Sequence, residues 1–215
     1  MFTGLIEEIG IIEAVESIGG GIRFRVQAPQ SAAELAVNDS VSINGVCQTV
    51  VCKLNASVDV EAVEETLKKT TLGALRPKSK VNLELPVRLN ERLGGHLVLG
   101  HVDAVGEVSA IEPLESSWMF TVNIPREFKH YLVRTGSIAI DGVSLTVAEL
   151  RGDCIRVSII PHTMENSIFQ EYEIGSRVNL EFDVIGKYIE RMMSVGKDPP
   201  EKQFLTEKHL RDLGF

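Results

Sequence analysis

Residues 40–50 read SVSINGVCQTV, and residues 137–147 read SIAIDGVSLTV. In each, an alternating run meets Asn-Gly or Asp-Gly and resumes beyond it, the pattern of two strands joined by a tight turn. Extended without a gap at a shift of 97, residues 40–84 lie on 137–181 with thirteen of 45 positions identical, well beyond what shared composition produces. VNLE recurs at 81–84 and 178–181, and Thr66 falls on Thr163. Toward the N-terminus the shift becomes 96. There GLIEEIGIIEAV (4–15) lies on GHVDAVGEVSAI (100–111), and Phe24, Val26 and Pro29 fall on Phe120, Val122 and Pro125. The chain is a tandem duplication.

Each copy reads as β. IRFRVQA (22–28) and WMFTVNI (118–124) alternate strictly, which puts 22/24/26/28 and 118/120/122/124 on a buried face. SVDVEAV (57–63) and CIRVSII (154–160) are further strands, with short helical patches at 31–36, 64–69, 127–133 and 164–169. About six strands per copy at this spacing predict a closed antiparallel barrel, since closure removes exposed edges. The expected class is therefore all-β, two tandem six-stranded barrels plus a C-terminal α-helix. The expected divisions are 1–97, 98–186 and 187–215. Residues 90–101, NERLGGHLVLGH, form the bridge between copies. After Glu181, the residues Val184, Ile185, Tyr188, Ile189, Met192 and Val195 recur at helical spacing. They suit either packing on the chain's own barrel or a self-association seam. Pro199-Pro200 then breaks the run, and 201–215 is expected to hold a last frayed helix.

The 215 residues include 22 Lys plus Arg against 30 Asp plus Glu, a net charge of −8. That balance argues against a nucleic-acid partner, which calls for a basic face. No apolar run approaches the ~18 residues of a membrane-spanning helix, and the N-terminus lacks the features of a signal or transit peptide. A cytoplasmic protein is expected. The three cysteines, Cys47, Cys52 and Cys154, fit neither a CxxC pair nor a zinc ribbon and are expected to be free thiols. No metal motif, phosphate-binding loop or nucleophile elbow is present in the sequence.

Candidates for chemistry are the positions that stay polar in both copies, or that differ between them. Ser40/Ser137, Thr49/Thr146 and Thr66/Thr163 stay polar. Cys47 faces Ser144 across the repeat, and His101 faces Leu5, with His96 five residues earlier in the bridge. A Ser or Thr beside a turn commonly bonds local backbone instead. From residue types alone, the reading ends at a duplicated barrel with two related small-molecule pockets.

MFTGLIEEIG at the start, NGVCQTV and DGVSLTV in the copies, GGHLVLGH at the bridge and VNLEFDVIGKYIERM near the end together resemble the riboflavin synthase family. The resemblance covers residues 1–195 in order. It implies Greek-key barrels, each binding one pteridine-like ring with a ribityl tail, in a homotrimer held by the C-terminal helices. It implies an active site between the N-terminal barrel of one subunit and the C-terminal barrel of its neighbour. The implied reaction is the dismutation of two 6,7-dimethyl-8-ribityllumazine molecules into riboflavin and 5-amino-6-(D-ribitylamino)uracil, with no metal or organic cofactor. Association with lumazine synthase is a further implied partnership.

Carried over by position, the resemblance groups Gly4-Leu5-Ile6 with Cys47-Gln48-Thr49 and with Glu61, Ala62, Val63, Glu64, Glu65 and Thr66 as the N-terminal pocket. It groups Gly100-His101-Val102 with Ser144-Leu145-Thr146 and with Ser158, Ile159, Ile160, Pro161, His162 and Thr163 as the C-terminal pocket. The reacting shell it implies is His101, Ser144, Thr146, Cys47, Ser40, Phe2 and Asp183. Ser144 with His101 is expected to move the proton of the 7-methyl group, and Cys47 to assist addition at the other ring. Where many family members carry a basic residue this chain has Thr135, with Arg134 beside it on what is expected to be a strand facing the opposite way. The rival function is a non-catalytic lumazine- or flavin-binding antenna protein. Flavin-reductase and oligonucleotide-binding barrels fit less well, the first for lack of room for an α/β domain, the second for the acidic charge.

Overall fold

The computed structural model describes residues 1–194. The first copy contains β1 (Glu8–Ile18), β2 (Gly21–Gln27), β3 (Ser40–Ile43), β4 (Val46–Lys53), β5 (Ser57–Ala62) and β6 (Lys80–Glu84). The second contains β7 (Ala104–Pro113), β8 (Trp118–Asn123), β9 (Ser137–Ile140), β10 (Val143–Arg151), β11 (Cys154–Ile159) and β12 (Arg177–Phe182). Each set closes into an antiparallel barrel, in the order β1-β2-β5-β4-β3-β6 and its counterpart β7-β8-β11-β10-β9-β12. Even the irregularities are duplicated: register breaks between Ile12 and Ala14 and between Val50 and Cys52 recur between Val108 and Ala110 and between Val147 and Glu149. Such bulges bend strands sharply enough to close a small barrel.

Alternation fills the interiors. Phe24, Val26, Val50, Val58 and Val60 pack inside the first barrel, and Phe120, Val122, Val147, Ile155 and Val157 inside the second. These are packed cores with no room for a ring-sized ligand, so any pocket must lie on an outer face. Three short helices connect strands: α1 (Pro29–Glu34), α2 (Glu64–Lys69) and α3 (Pro161–Glu165). The patch expected at 127–133 is a 3-10 helix at Arg126–Tyr131, and the one expected at 164–169 is divided between α3 and a 3-10 turn at Ile168–Glu171.

The β3–β4 and β9–β10 hairpins meet where the barrels touch. Asn44 and Gly45 both adopt positive φ, as do Asp141 and Gly142, the backbone of the hairpin turn that these dipeptides favour. A Cβ on Gly45 would stand 2.6 Å from the Gly142 nitrogen, and one on Gly142 would stand 2.8 Å from the Gly45 nitrogen. Only glycine permits that approach. Around it, the asparagines of the two VNLE motifs exchange hydrogen bonds across the barrels. Asn82 Nδ2 donates to Asp141 O at 2.9 Å and Asn82 Oδ1 accepts from Ile168 N at 2.8 Å. Asn179 Nδ2 donates to Asn44 O at 2.9 Å and Asn179 Oδ1 accepts from Thr71 N at 2.8 Å. Both asparagines are buried, so removing one would strand partners at roughly 1–3 kcal/mol each.

The chain divides into a unit of Met1–Val184, which holds both barrels, and a second of Ile185–Phe215. The expected division at 97/98 falls in the bridge between β6 and β12's partner β7, and the unit boundary lies two residues before the expected 186/187. Helix α4 runs from Val184 to Ser194, and Ile185, Tyr188, Ile189, Met192 and Met193 are all more than half exposed on it. Val195 and the helix expected within 201–215 lie outside the described residues. No helix among the described residues is long and apolar enough to cross a membrane.

Thr135 departs from expectation. It stands in the turn before β9 at a φ of 63°, its amide donating to Val147 O at 2.9 Å. Arg134 beside it is therefore not a strand residue facing the opposite way. The turn supersedes strand alternation there, as at the corresponding Asn38, whose φ is 78°.

Candidate functional site

The N-terminal segment and the bridge pair with each other. Phe2 N donates to Val98 O at 2.7 Å and Val98 N to Phe2 O at 3.1 Å, two residues related by the shift of 96. Beyond this bridge each segment crosses to the opposite barrel. Ser144 N donates to Gly4 O, and Cys47 N to Gly100 O, both at 2.8 Å. Gly4 and Gly100 have φ of 81° and 80°, and a Cβ on either would fall 2.5 Å from Ser144 Cβ or 2.6 Å from Cys47 Cβ. Ile6 packs against the second barrel's core and Val102 against the first's.

This exchange corrects the grouping expected from sequence. Gly4-Leu5-Ile6 belong with Ser144, and Gly100-His101-Val102 with Cys47, each strap completing the other barrel's face. A shift that equates two copies identifies equivalent residues but not the copy on which a crossing segment lands.

A recess of about 210 Å³ lies where the first strap meets the second barrel. It is lined by Gly4, Leu5 and Ile6 of the strap, Val143 and Ser144 of β10, and His162 and Thr163 of α3. Asn166 and Ser167, which the sequence reading did not place in a pocket, also line it. Their signal was proximity to Thr163, one helical turn away.

Ser144, which lines the recess, is paired with a histidine that does not line it, His96. Nδ1 of His96 lies 2.7 Å from Ser144 Oγ. Within the chain, His101, the residue expected to work with Ser144, lies on the other strap: it is exposed beside Cys47, its amide donating to Glu181. His96 is held by its own amide, which donates to Thr3 O at 3.1 Å. Burial lowers the His96 pKa, opposed by the Asp183 carboxylate, which raises it. Nε2 of His96 is buried without a hydrogen-bond partner among the described residues. With the proton on Nε2, the neutral ring offers Nδ1 as acceptor for the Ser144 hydroxyl.

The other expected residues divide by strand parity. Cys47 and Thr49 of β4, like Ser144 and Thr146 of β10, lie on the less buried face, with Ser40 opposite Thr49 in the ladder. Gln48, Leu145, Ala62 and Ile159 alternate inward and are buried, the last three within the barrel cores. The side chains of Leu145, Ala62 and Ile159 therefore pack in the barrel cores. Glu61 is ion-paired with Arg23 at 2.6 Å, Glu65 with Lys69 at 2.8 Å, and Val63 and Glu64 are exposed at the start of α2. Thr66 is half-buried. Ser158 bonds Ser117 at 3.1 Å, and Ile160 and Pro161 begin α3. Phe2 is fully buried against Val98, Ala139 and Cys47. The three cysteines are free. Among the described residues no group of three or more His, Cys, Asp or Glu has metal-binding geometry.

Two duplicated barrels that exchange straps, with Ser144 at the recess so formed and hydrogen-bonded to His96, define the class of protein: a tandem pair of related β-barrel domains. The lumazine binding domain model matches it twice, over residues 3–86 and 99–183. Riboflavin synthase of Bacillus subtilis (strain 168) is 38% identical over 215 residues, all of both chains. That of Mycobacterium bovis is 43% identical over 197 residues, covering 90% of this chain and 98% of the relative. The chain belongs to the riboflavin synthase family. In fold it is similar to LumP complexed with riboflavin, with a TM-score of 0.79 and 24% identity over 85% of this chain and 99% of that one. LumP complexed with 6,7-dimethyl-8-(1'-D-ribityl) lumazine gives 0.77 at the same identity and coverage.

Proposed function

We propose that this chain dismutates two molecules of 6,7-dimethyl-8-ribityllumazine, moving a four-carbon unit from one to the other. The products are riboflavin and 5-amino-6-(D-ribitylamino)uracil. Together they contain the atoms of the two substrates, so no oxidant, reductant or organic cofactor is consumed. The observation that carries the reading is the His96–Ser144 hydrogen bond of 2.7 Å, whose serine lines a recess together with the first strap.

The 7-methyl protons of the lumazine are acidic because the resulting anion delocalises into the ring. A neutral imidazole hydrogen-bonded to a hydroxyl suits their removal: Ser144 Oγ faces the methyl, and His96 Nδ1 takes the proton through it. Burial, which keeps His96 neutral at ordinary pH, supports that role. Cys47, on the corresponding position of the other barrel, assists addition at the acceptor ring, with His101 carried beside it on the second strap. Two related sites for one molecule convert a bimolecular encounter into a positioned one.

At about 210 Å³ the recess is smaller than the roughly 300–1,000 Å³ usual for small-molecule sites. That suits a site whose remaining wall comes from a neighbouring subunit. The apolar stripe of α4, at Ile185, Tyr188, Ile189, Met192 and Met193, supports self-association as a homotrimer through these helices. The fold shared with LumP keeps a binding-only reading in view, with a lumazine or riboflavin held and not converted. Adding 6,7-dimethyl-8-ribityllumazine alone to the purified chain and following riboflavin by absorbance separates the two. Turnover supports the synthase, and tight binding without riboflavin supports the antenna-type protein.

A further inference from the structure

The glutamates that end the two VNLE motifs are buried, and each accepts several hydrogen bonds from a strap. Glu84 of β6 accepts from Thr3 N at 2.6 Å, Thr3 Oγ1 at 2.7 Å and Gly4 N at 3.0 Å. Glu181 of β12 accepts from Leu99 N at 2.7 Å, Gly100 N at 2.9 Å and His101 N at 3.0 Å. Each carboxylate therefore holds its own barrel's strap at the residues that then contact the opposite barrel. The next carbonyl contact of the first strap is Gly4 O with Ser144 N, and that of the second is Gly100 O with Cys47 N.

We propose that Glu84 and Glu181 are positioning residues acting crosswise: Glu84, in the first barrel, sets the recess at Ser144 on the second, and Glu181 sets the site at Cys47 on the first. The physical reason lies in the acceptor count. A strap turning at positive φ presents consecutive N–H groups to one side, and such groups are costly to bury unpaired. A carboxylate offers two oxygens with about four lone-pair sites, enough to take three donors at once. Glutamine keeps the shape but replaces one acceptor oxygen with a donor that faces the amides. Asn82 and Asn179, two residues earlier in the same motifs, tie the barrels together at the hairpins. The repeated VNLE is thus one device: its asparagine fixes the barrels against each other, and its glutamate delivers the strap across the join. That these contacts matter for turnover rests on the synthase reading; the crosswise geometry does not.

The test uses the full chain and reads the two sites separately. Amide hydrogen exchange is followed at Ser144 and Cys47, the donors to Gly4 O and Gly100 O, in Glu84→Gln and Glu181→Gln. The expected result is exchange about tenfold faster at Ser144 in E84Q with Cys47 unchanged, and the mirror result in E181Q, as loss of a charge-assisted bond opens one strap. Thr3→Val, which removes only the Oγ1 donor to Glu84, is the milder variant if E84Q does not fold; it should speed exchange at Ser144 alone. Equal acceleration of both amides in either glutamine variant, or acceleration of neither, would overturn the assignment. Riboflavin formation by the same variants is the second readout. Exchange that is crosswise in a chain without turnover leaves the positioning role standing and removes the synthase reading.

Discussion

His96 Nδ1 and Ser144 Oγ stand 2.7 Å apart, although the two residues come from the bridge and from a hairpin of the second barrel. They meet because the bridge is pinned beside the first strap, where Thr3 O accepts the His96 amide. If this pair moves the substrate proton, His96→Gln and Ser144→Ala should each lower kcat by roughly 10²–10³-fold. KM should change little, and the double variant should lose no more than the worse single one. Steady-state formation of riboflavin measures all three.

The pH dependence follows from the same ring. His96 acts as a base only when neutral, so activity is lost as pH falls through its pKa. Burial holds that pKa below the ordinary histidine value, so the acid limb of kcat/KM should lie below that value as well. Asp183 raises it, and Asp183→Asn should move the limb to still lower pH. A pH–rate profile of both proteins checks the direction.

Asp141 makes stability depend on pH. Burial pushes its carboxyl up to about 7 from the ordinary 3.8, against the bonds from Tyr172 and Asn179, which lower it. Between those values the folded chain holds a proton that the unfolded chain lacks, so this contribution to stability falls as pH rises from about 4 to about 7. The corresponding residue is Asn44, whose Oδ1 accepts from Asn82 N at 2.8 Å as Asp141 Oδ1 accepts from Asn179 N at 3.0 Å. Asp141→Asn should therefore flatten the slope, melting above the native chain at about pH 8 and close to it at about pH 4. Thermal melts across that range give the comparison.

Ile189 and Met192 sit on the exposed apolar stripe of α4. If this stripe is a self-association seam, as proposed, Ile189→Glu should shift sedimentation toward monomer and lower turnover with it, since burying an unpaired charge in a seam costs several kcal/mol. Unchanged sedimentation would contradict self-association through this helix.

The duplication and both barrels were legible in the sequence because strand alternation and Asn-Gly or Asp-Gly turns are local signals, repeated twice. The core positions of Leu145, Ala62 and Ile159 were legible too: period two puts them inward, whereas a contiguous motif carried over whole makes them appear to line a pocket. Strap exchange was not legible. Gly4 on Ser144 and Gly4 on Cys47 would use the same residue types and the same glycine, and only three-dimensional packing distinguishes them. The pairing of His96 with Ser144 was not legible for a related reason. His96 was visible as a polar residue of the bridge, but it lies outside the aligned blocks, so the comparison of copies gave it no counterpart and no partner. Glu84 and Glu181 were visible as a repeated motif, but their acceptor role depends on a turn of the strap that no periodicity records.

The most direct measurement is the exchange of the 7-methyl protons of 6,7-dimethyl-8-ribityllumazine for deuterium, followed by NMR with the native chain and with His96→Gln. The account predicts that the native chain accelerates exchange, and that the variant binds the lumazine but leaves exchange near its rate in buffer. Exchange by the variant as fast as by the native chain would contradict it.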